Sequence, residues 1–303
     1  MTTFDLDKIS SQKGRIAIIT GANIGLGFET ALGLAKKEMT VVLACRNIDK
    51  ATAAKQEILK EVPNADLDII QIDLSSLDSV RKFAKNYLKK YQQLDLLINN
   101  AGVMMPPFSL TKDGFELQMA ANCFGHFLLT GLLLETILAT PNSRIVSLSS
   151  IAHRSGKINF DDLQSQKKYS AAQAYGQSKL ACLMYGYELQ RRLDAAGHTS
   201  TISTIAHPGL SDTNLGQHLP KWAIAIASVI TPLISHSAKA GAQPSLLAAV
   251  GAAKGGDYFG PAGFKEMKGK PGKAKSTSLS KDKEVAKKLW EVSEKLTGIT
   301  YSF

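Results

Sequence analysis

Residues 15–27 read RIAIITGANIGLG, and residues 28–37 continue FETALGLAKK. The run 15–20 is short, apolar and rich in β-branched side chains, the pattern of a strand buried on both faces. Gly21, Gly25 and Gly27 follow, and helical spacing resumes over residues 29–37. Strand, glycine turn and helix in that order bring backbone N–H groups and the positive end of a helix dipole to one point, which suits a phosphate group. Asn23 and Ile24 lie within the same turn. The spacing is T-G-x-x-x-G-x-G rather than the commoner G-x-G-x-x-G. Glycines by themselves also make tight turns, so it is their place between a strand and a helix that points to a dinucleotide.

Outward from that turn the chain keeps alternating. Apolar runs at 40–45, 67–73, 94–99, 144–149 and 201–207 read as strands. Amphipathic or apolar helical stretches lie at 46–61, 76–91, 115–138 and 171–195. Such alternation predicts an α/β, doubly wound, mostly parallel sheet of Rossmann type with helices on both faces. We expect seven strands, the last a short one at 257–259. The whole chain, 1–303, reads as a single domain. Its parts are a cofactor-binding core over 14–207, a substrate lid over 208–240 and a basic C-terminal extension over 260–303. A helix is expected at 238–253 and another at 281–296, with no regular structure at 260–280.

Lys and Arg outnumber Asp and Glu by 36 to 26, a net charge of +10, and the excess crowds the C-terminal extension. No helix-turn-helix, zinc-ligand spacing or aromatic RNA-binding pattern accompanies it, so the expectation is a solvated basic surface and no nucleic-acid partner. Cys45, Cys123 and Cys182 are odd in number and far apart, which favours a reducing, cytoplasmic setting. No uninterrupted apolar stretch is long enough to span a bilayer, and the nearest to one, 222–230, is too short, so no integral membrane segment is expected. The six histidines form no metal cluster and read as structural. Only His153 is a candidate to enter the crevice.

The end of the second strand selects the cofactor. An acid there would bond a ribose 2′-OH, whereas an arginine accommodates a 2′-phosphate. The chain has Cys45 and then Arg46, with Lys50 beyond, so NADP(H) is expected over NAD(H). Asp73 and Leu74 end the third strand. The Asp73 carboxylate either meets the adenine or caps the next helix.

Chemistry is expected at Tyr175 and Lys179, whose i, i+4 spacing puts them on one helical face. A phenol is a weak acid/base near neutral pH, and an adjacent ammonium favours its anion. The pair is common by chance. It gains meaning from Ser150 after the fifth strand, from Asn99, Asn100, Ala101 and Gly102 after the fourth, and from Asn122 in the helix that follows.

Taken in order, the glycine turn, the N-N-A-G at 99–102, Asn122, Ser150, the Y-x-x-x-K at 175–179 and Pro208-Gly209 resemble the short-chain dehydrogenase/reductase family over nearly the whole chain. Ala44-Cys45-Arg46, the S-S-I-A-H at 149–153 and the insert I-N-F-D-D-L at 158–163 are similar to its retinol-dehydrogenase-like branch, which includes the WW-domain oxidoreductases and, more distantly, protochlorophyllide reductase. The resemblance implies hydride transfer between NADP(H) and a carbonyl/alcohol pair. It implies that Ser150 bonds the substrate oxygen and Tyr175 exchanges the proton. Lys179 would hold the nicotinamide ribose, with Asn122 supporting a water relay to it. Asn100 would lie beside the cofactor and Thr213 at its carboxamide. A homodimer or homotetramer would pair the helices around Asn122 and Tyr175. The apolar segment around Trp222 either roofs the substrate, which suggests a lipophilic ketone or aldehyde, or packs against a partner subunit. Two other readings stay open: a regulatory NADP(H) sensor without turnover, and a C=C reductase.

Overall fold

The computed structural model of the chain describes residues 4–210 and 236–303. Its strands are β1 (Ile16–Thr20), β2 (Thr40–Cys45), β3 (Leu67–Gln71), β4 (Leu96–Asn99), β5 (Arg144–Leu148), β6 (Ile202–Ala206), β7 (Tyr258–Pro261) and β8 (Pro271–Lys273). Its main helices are α1 (Gly25–Ala35), α2 (Ile48–Glu61), α3 (Leu77–Lys90), α4 (Gly125–Ala139), α5 (Ala171–Ala195), α6 (Ala238–Val250) and α7 (Lys283–Thr297). The sheet order is β3-β2-β1-β4-β5-β6-β7-β8. All neighbours are parallel except β7 and β8. Strand order reverses between β1 and β4, so a crevice opens at their carboxyl ends, where sheets of this kind bind ligands.

The apolar faces of the strands are covered on both sides. Ala31, Leu34, Ala51, Ile58 and Leu246 bring α1, α2 and α6 onto one face. Phe83, Tyr87, Phe127, Leu133 and Leu189 bring α3, α4 and α5 onto the other. This two-sided burial is why the strands are apolar throughout rather than alternating.

Two expectations need correction. First, the sheet has eight strands, not seven: β8 lies inside the stretch read as irregular. Its sequence has no strand propensity, and backbone bonds make it. Ala262 N donates to Lys270 O and Gly263 N to Lys268 O, folding residues 262–270 back so that Gly260 faces Gly272. The Glu266 carboxylate accepts from Arg154 at 2.6 Å and contacts His207 at 3.2 Å, which pins that loop to the sheet.

Second, residues 115–138 are not one α-helix. A single turn, Leu117–Met119, passes through a π segment, Ala120–Phe124, before α4 begins. Gly125 N closes the wider turn on Ala120 O. By composition and length the 23-residue run Leu117–Ala139 could cross a membrane, but 72% of its most apolar window is buried within the fold. It is a core helix here.

The outward stripe of α4 and α5 is covered by α7. Ala286 and Leu289 pack with Cys123, Phe124, Leu180 and Met184. Trp290 lies 5.0 Å from the Phe127 ring, and Tyr301 at 4.9 Å from the same ring completes an aromatic plug. The Tyr301 hydroxyl donates to Phe127 O at 2.6 Å.

Candidate functional site

The glycine turn leaves β1 at Thr20. Gly21 has φ +68° and Gly25 φ +57°, values that favour glycine. A Cβ on Gly27 would sit 2.3 Å from Gly21 O and 2.6 Å from the Asn100 amide nitrogen, so only glycine lets α1 start this close to β1. Ile24, the residue before α1, gives its first turn no side-chain cap. Those N–H groups therefore face the turn, the arrangement that receives a pyrophosphate. Ile24 itself is exposed, while Asn23 is half-buried.

At the end of β2, Cys45 points inward and burial pushes its thiol up to about 11. Arg46 is exposed. Its carbonyl accepts from Gln71, and its guanidinium has no partner among the described residues. Asn47 caps α2 by accepting from Lys50 N at 2.8 Å, so the loop that carries Arg46 is fixed at both sides. Asp73 is not a helix cap. Its Oδ1 accepts from the backbone and hydroxyl of Ser75 at 2.9 and 2.6 Å, and Ser76 caps α3 instead. The second Asp73 carboxylate oxygen carries no bond among the described residues. Leu74 is buried, its carbonyl pressed against Gly125.

The four residues 99–102, from the last residue of β4 onward, divide their work. Asn99 is buried and donates to Thr130 on α4 at 3.1 Å. The Asn100 amide donates to Thr20 O at 2.7 Å, holding the glycine turn rather than standing free beside a ligand. Asn100 N and Ala101 N both donate to Thr20 Oγ1 at 2.9 Å. A Cβ on Gly102 would lie 3.1 Å from Asn122 Oδ1 and 3.4 Å from Lys179 Nζ, so the chain emerges from β4 directly against α5.

Lys179 is 6% exposed and donates to Leu148 O, at the end of β5, at 3.1 Å. Its Nζ lies 5.9 Å from the centroid of the Tyr175 ring, which is also 6% exposed. Ser149 Oγ donates to Lys179 O at 2.7 Å, locking α5 to the tip of β5. Ser150 caps the short 3-10 turn Ile151–Ser155 and accepts from Ala152 N at 3.2 Å. Its hydroxyl hydrogen stays available. The Asn122 side chain accepts from Val103 N at 2.8 Å and donates to Val103 O at 3.0 Å and Ser178 Oγ at 2.9 Å. The backbone carbonyl of Asn122 receives the Cys182 thiol at 3.1 Å and faces the His126 ring. A water relay from Asn122 to Lys179 was the expectation; the protein contacts of Asn122 run to Val103, Ser178, Cys182 and His126.

His153 does not enter the crevice. It is 1% exposed, bonds Ser150 O through Nδ1 at 2.6 Å and packs against Tyr258. Gly209, φ +73°, nestles against Met267 O, while Pro208 O is met by His236 Nε2 at 2.6 Å. Thr213 and the apolar segment around Trp222 lie outside the described residues.

Sequence reasoning missed three residues that hold this site. Thr20 ties β1 to β4. His126 stands one helical turn from Asn122. Gln118, fully buried, accepts from Met105 N at 2.9 Å and donates to Tyr169 OH and Ala171 O, so the segment leaving Gly102 is fastened to the start of α5. The i, i+4 relation of Asn122 and His126 was the one legible signal among them.

The short chain dehydrogenase family profile matches residues 15–224. Human retinol dehydrogenase 13 is 42% identical over 294 residues, spanning 94% of this chain and 85% of its own length. Mouse retinol dehydrogenase 11 is 40% identical over 290 residues, spanning 94% and 87%. A crystal structure of an uncharacterized protein from Mycobacterium paratuberculosis superposes with TM-score 0.83 at 37% identity, each chain covered in full. An NADP active-site complex from Pseudomonas aeruginosa shares the fold, with TM-score 0.64 at 24% identity over 82% of this chain and 94% of its own.

Proposed function

Because the chain belongs to the short-chain dehydrogenase family, and is thereby an oxidoreductase of the carbonyl/alcohol type, we propose that it uses NADP(H) to interconvert a lipophilic ketone or aldehyde and its alcohol. The observation that carries this reading is the meeting of Tyr175, Lys179 and Gly102 at the carboxyl ends of β4 and β5. Retinol dehydrogenases are among the relatives, and their named substrate is itself a lipophilic alcohol. The apolar sequence around Trp222 and the Met104, Met105 and Phe108 side chains that follow Gly102 suit such a compound.

The residues fit the cofactor. The close approach of Gly27 to Gly21 and the uncapped start of α1 make room and donors for a pyrophosphate. The exposed Arg46 guanidinium, without a partner among the described residues, supports the 2′-phosphorylated form. NADP(H), when bound, supplies or takes the hydride. The protein's part is the proton. Ser150 accepts from Ala152 N, which leaves its O–H to donate to the substrate oxygen. Tyr175 gives its phenolic proton to that oxygen during reduction and removes it during oxidation. Lys179 keeps a cation beside the phenol, held in place by Leu148 O. Free, buried Cys45, Cys123 and Cys182 suit a reducing cytoplasm.

The test is NADPH and NADH consumption against a panel of hydrophobic ketones, aldehydes and enones, with product analysis. Turnover of C=O with NADPH is expected. Tyr175→Phe should lower kcat about 10²–10⁴-fold while NADPH still binds. Undiminished turnover in that variant would refute the proton role, and tight NADPH binding without any turnover would favour a sensor.

A further inference from the structure

His126 plays no part in the chemistry described so far. Its ring is 4% exposed, on α4 one turn beyond Asn122, and it lies between two parts of the site that come from distant sequence. Nε2 is 2.9 Å from Thr20 Oγ1, and Nδ1 is 3.0 Å from the Asn122 carbonyl oxygen. Counting donors fixes where the ring proton sits. A carbonyl only accepts, so Nδ1 carries hydrogen. Thr20 Oγ1 already accepts from Asn100 N and Ala101 N. Its own hydrogen then goes to Nε2 at 2.9 Å in preference to Ile98 O at 3.4 Å. Nε2 must be a bare lone pair. Both ends of the ring demand the same neutral tautomer.

We propose that His126 is a positioning residue that, as the Nδ1–H tautomer, sets the spacing between the cofactor side of the crevice and its reacting side. On one side Thr20 holds the glycine turn together with the backbone of Asn100 and Ala101. On the other, Asn122 holds Val103 and Ser178, and Gly102 lies against Lys179. The imidazole bridges the two halves with a hydrogen bond at each end. It sits at the exit of the π segment, where the helix ladder changes pitch and the Asn122 carbonyl meets both the ring and the Cys182 thiol. Neither lysine nor a hydroxyl of similar reach could do this, since the position needs one donor and one acceptor about a ring's width apart. The positioning role rests on the oxidoreductase reading above; the tautomer does not.

Two substitutions each keep one arm. His126→Asn retains a donor where Nδ1 stands but stops short of Thr20. His126→Gln reaches Thr20 with an acceptor but leaves the Asn122 carbonyl. NADPH affinity is read by its fluorescence on binding, and kcat with the best carbonyl substrate of the unaltered protein. His126→Asn is expected to weaken NADPH binding about fivefold, the worth of one hydrogen bond, with kcat nearly kept. His126→Gln is expected to lower kcat about fivefold or more with NADPH affinity nearly kept. Equal losses in both quantities for both variants, or no loss in either, would overturn the proposal. Nitrogen-15 NMR of the histidine rings in the unaltered protein reads the tautomer without any variant: protonated Nδ1 and bare Nε2 support it, and protonated Nε2 overturns it. If the unaltered protein binds NADPH but reduces nothing, the oxidoreductase reading fails, and the affinity and NMR results still decide for or against His126 as the bridge.

Discussion

Acid should unfold this protein through its histidines before it reaches the carboxylates. Burial drives the His126 imidazole down from 6.5 to about 4, with the Lys179 charge adding to the effect and the bond to Asn122 O opposing it. Burial also lowers His153 and His207. A histidine held neutral in the fold stabilises it fully above its unfolded value. That stability is lost as pH falls through the folded value, because the unfolded chain takes up the proton first. For His126 the window runs from 6.5 down to about 4, and the full loss is about 3 kcal/mol. Inside the window its share of the slope is about 1.4 kcal/mol per pH unit. Glu266 and Asp68, both held below the usual carboxylate range, add their losses only at lower pH. Urea unfolding followed by circular dichroism at a series of pH values measures the slope directly. His126→Asn removes one titrating group, so its stability should fall less steeply by about 1.4 kcal/mol per pH unit between about pH 6 and about pH 5. Equal slopes in the two proteins would show that His126 takes up its proton without unfolding, and the account of a buried neutral bridge would be wrong.

Two other outcomes follow from the cofactor side. Arg46→Glu places a carboxylate where a 2′-phosphate would sit and a ribose hydroxyl could be bonded; the ratio of kcat/KM for NADPH over NADH should fall at least about tenfold, and an unchanged ratio would remove Arg46 from cofactor choice. Gly27→Ala forces a methyl to within 2.3 Å of Gly21 O, so NADPH binding measured by fluorescence should be lost or cut more than about tenfold while the circular dichroism spectrum stays near that of the unaltered chain; normal affinity would mean that the turn yields more readily than its packing implies.

Where one force acted alone, the sequence was legible. β2 was placed to the residue because its β-branched apolar run, stopped by Arg46, has only one buried reading, and α5 likewise from Ala171 to Ala195. The helix after the glycine turn was read as starting at Glu29, four residues late, because Gly25 and Gly27 carry poor helix propensity and are helical only through the packing of α1 against β1. The π segment was invisible since residues of ordinary helix composition run through it; within it Asn122 is bonded to Val103 on one side and to Ser178 of α5 on the other. β8 was hidden because its Gly, Lys and Pro residues offer the sheet only backbone. At the site, Tyr175, Lys179, Ser150 and Asn122 announced themselves by chemistry and order. Thr20, Gln118 and His126 did not, for a hydroxyl, an amide and an imidazole among apolar neighbours look like any satisfied core polar group until their partners, up to 106 positions away, are seen.

The last helix alters what assembly means for this chain. α7 and the aromatic plug at Trp290 and Tyr301 cover a stripe made of the π segment, α4 and α5, including Cys123, Phe127 and Leu180. A separate subunit laid on that stripe would come and go with protein concentration. A helix joined by the backbone has a local concentration set by its tether and never diluted. The packing that α7 gives to Cys123, Phe124, Leu180 and Met184 is thus built into each single molecule, as constant in a scarce protein as in an abundant one.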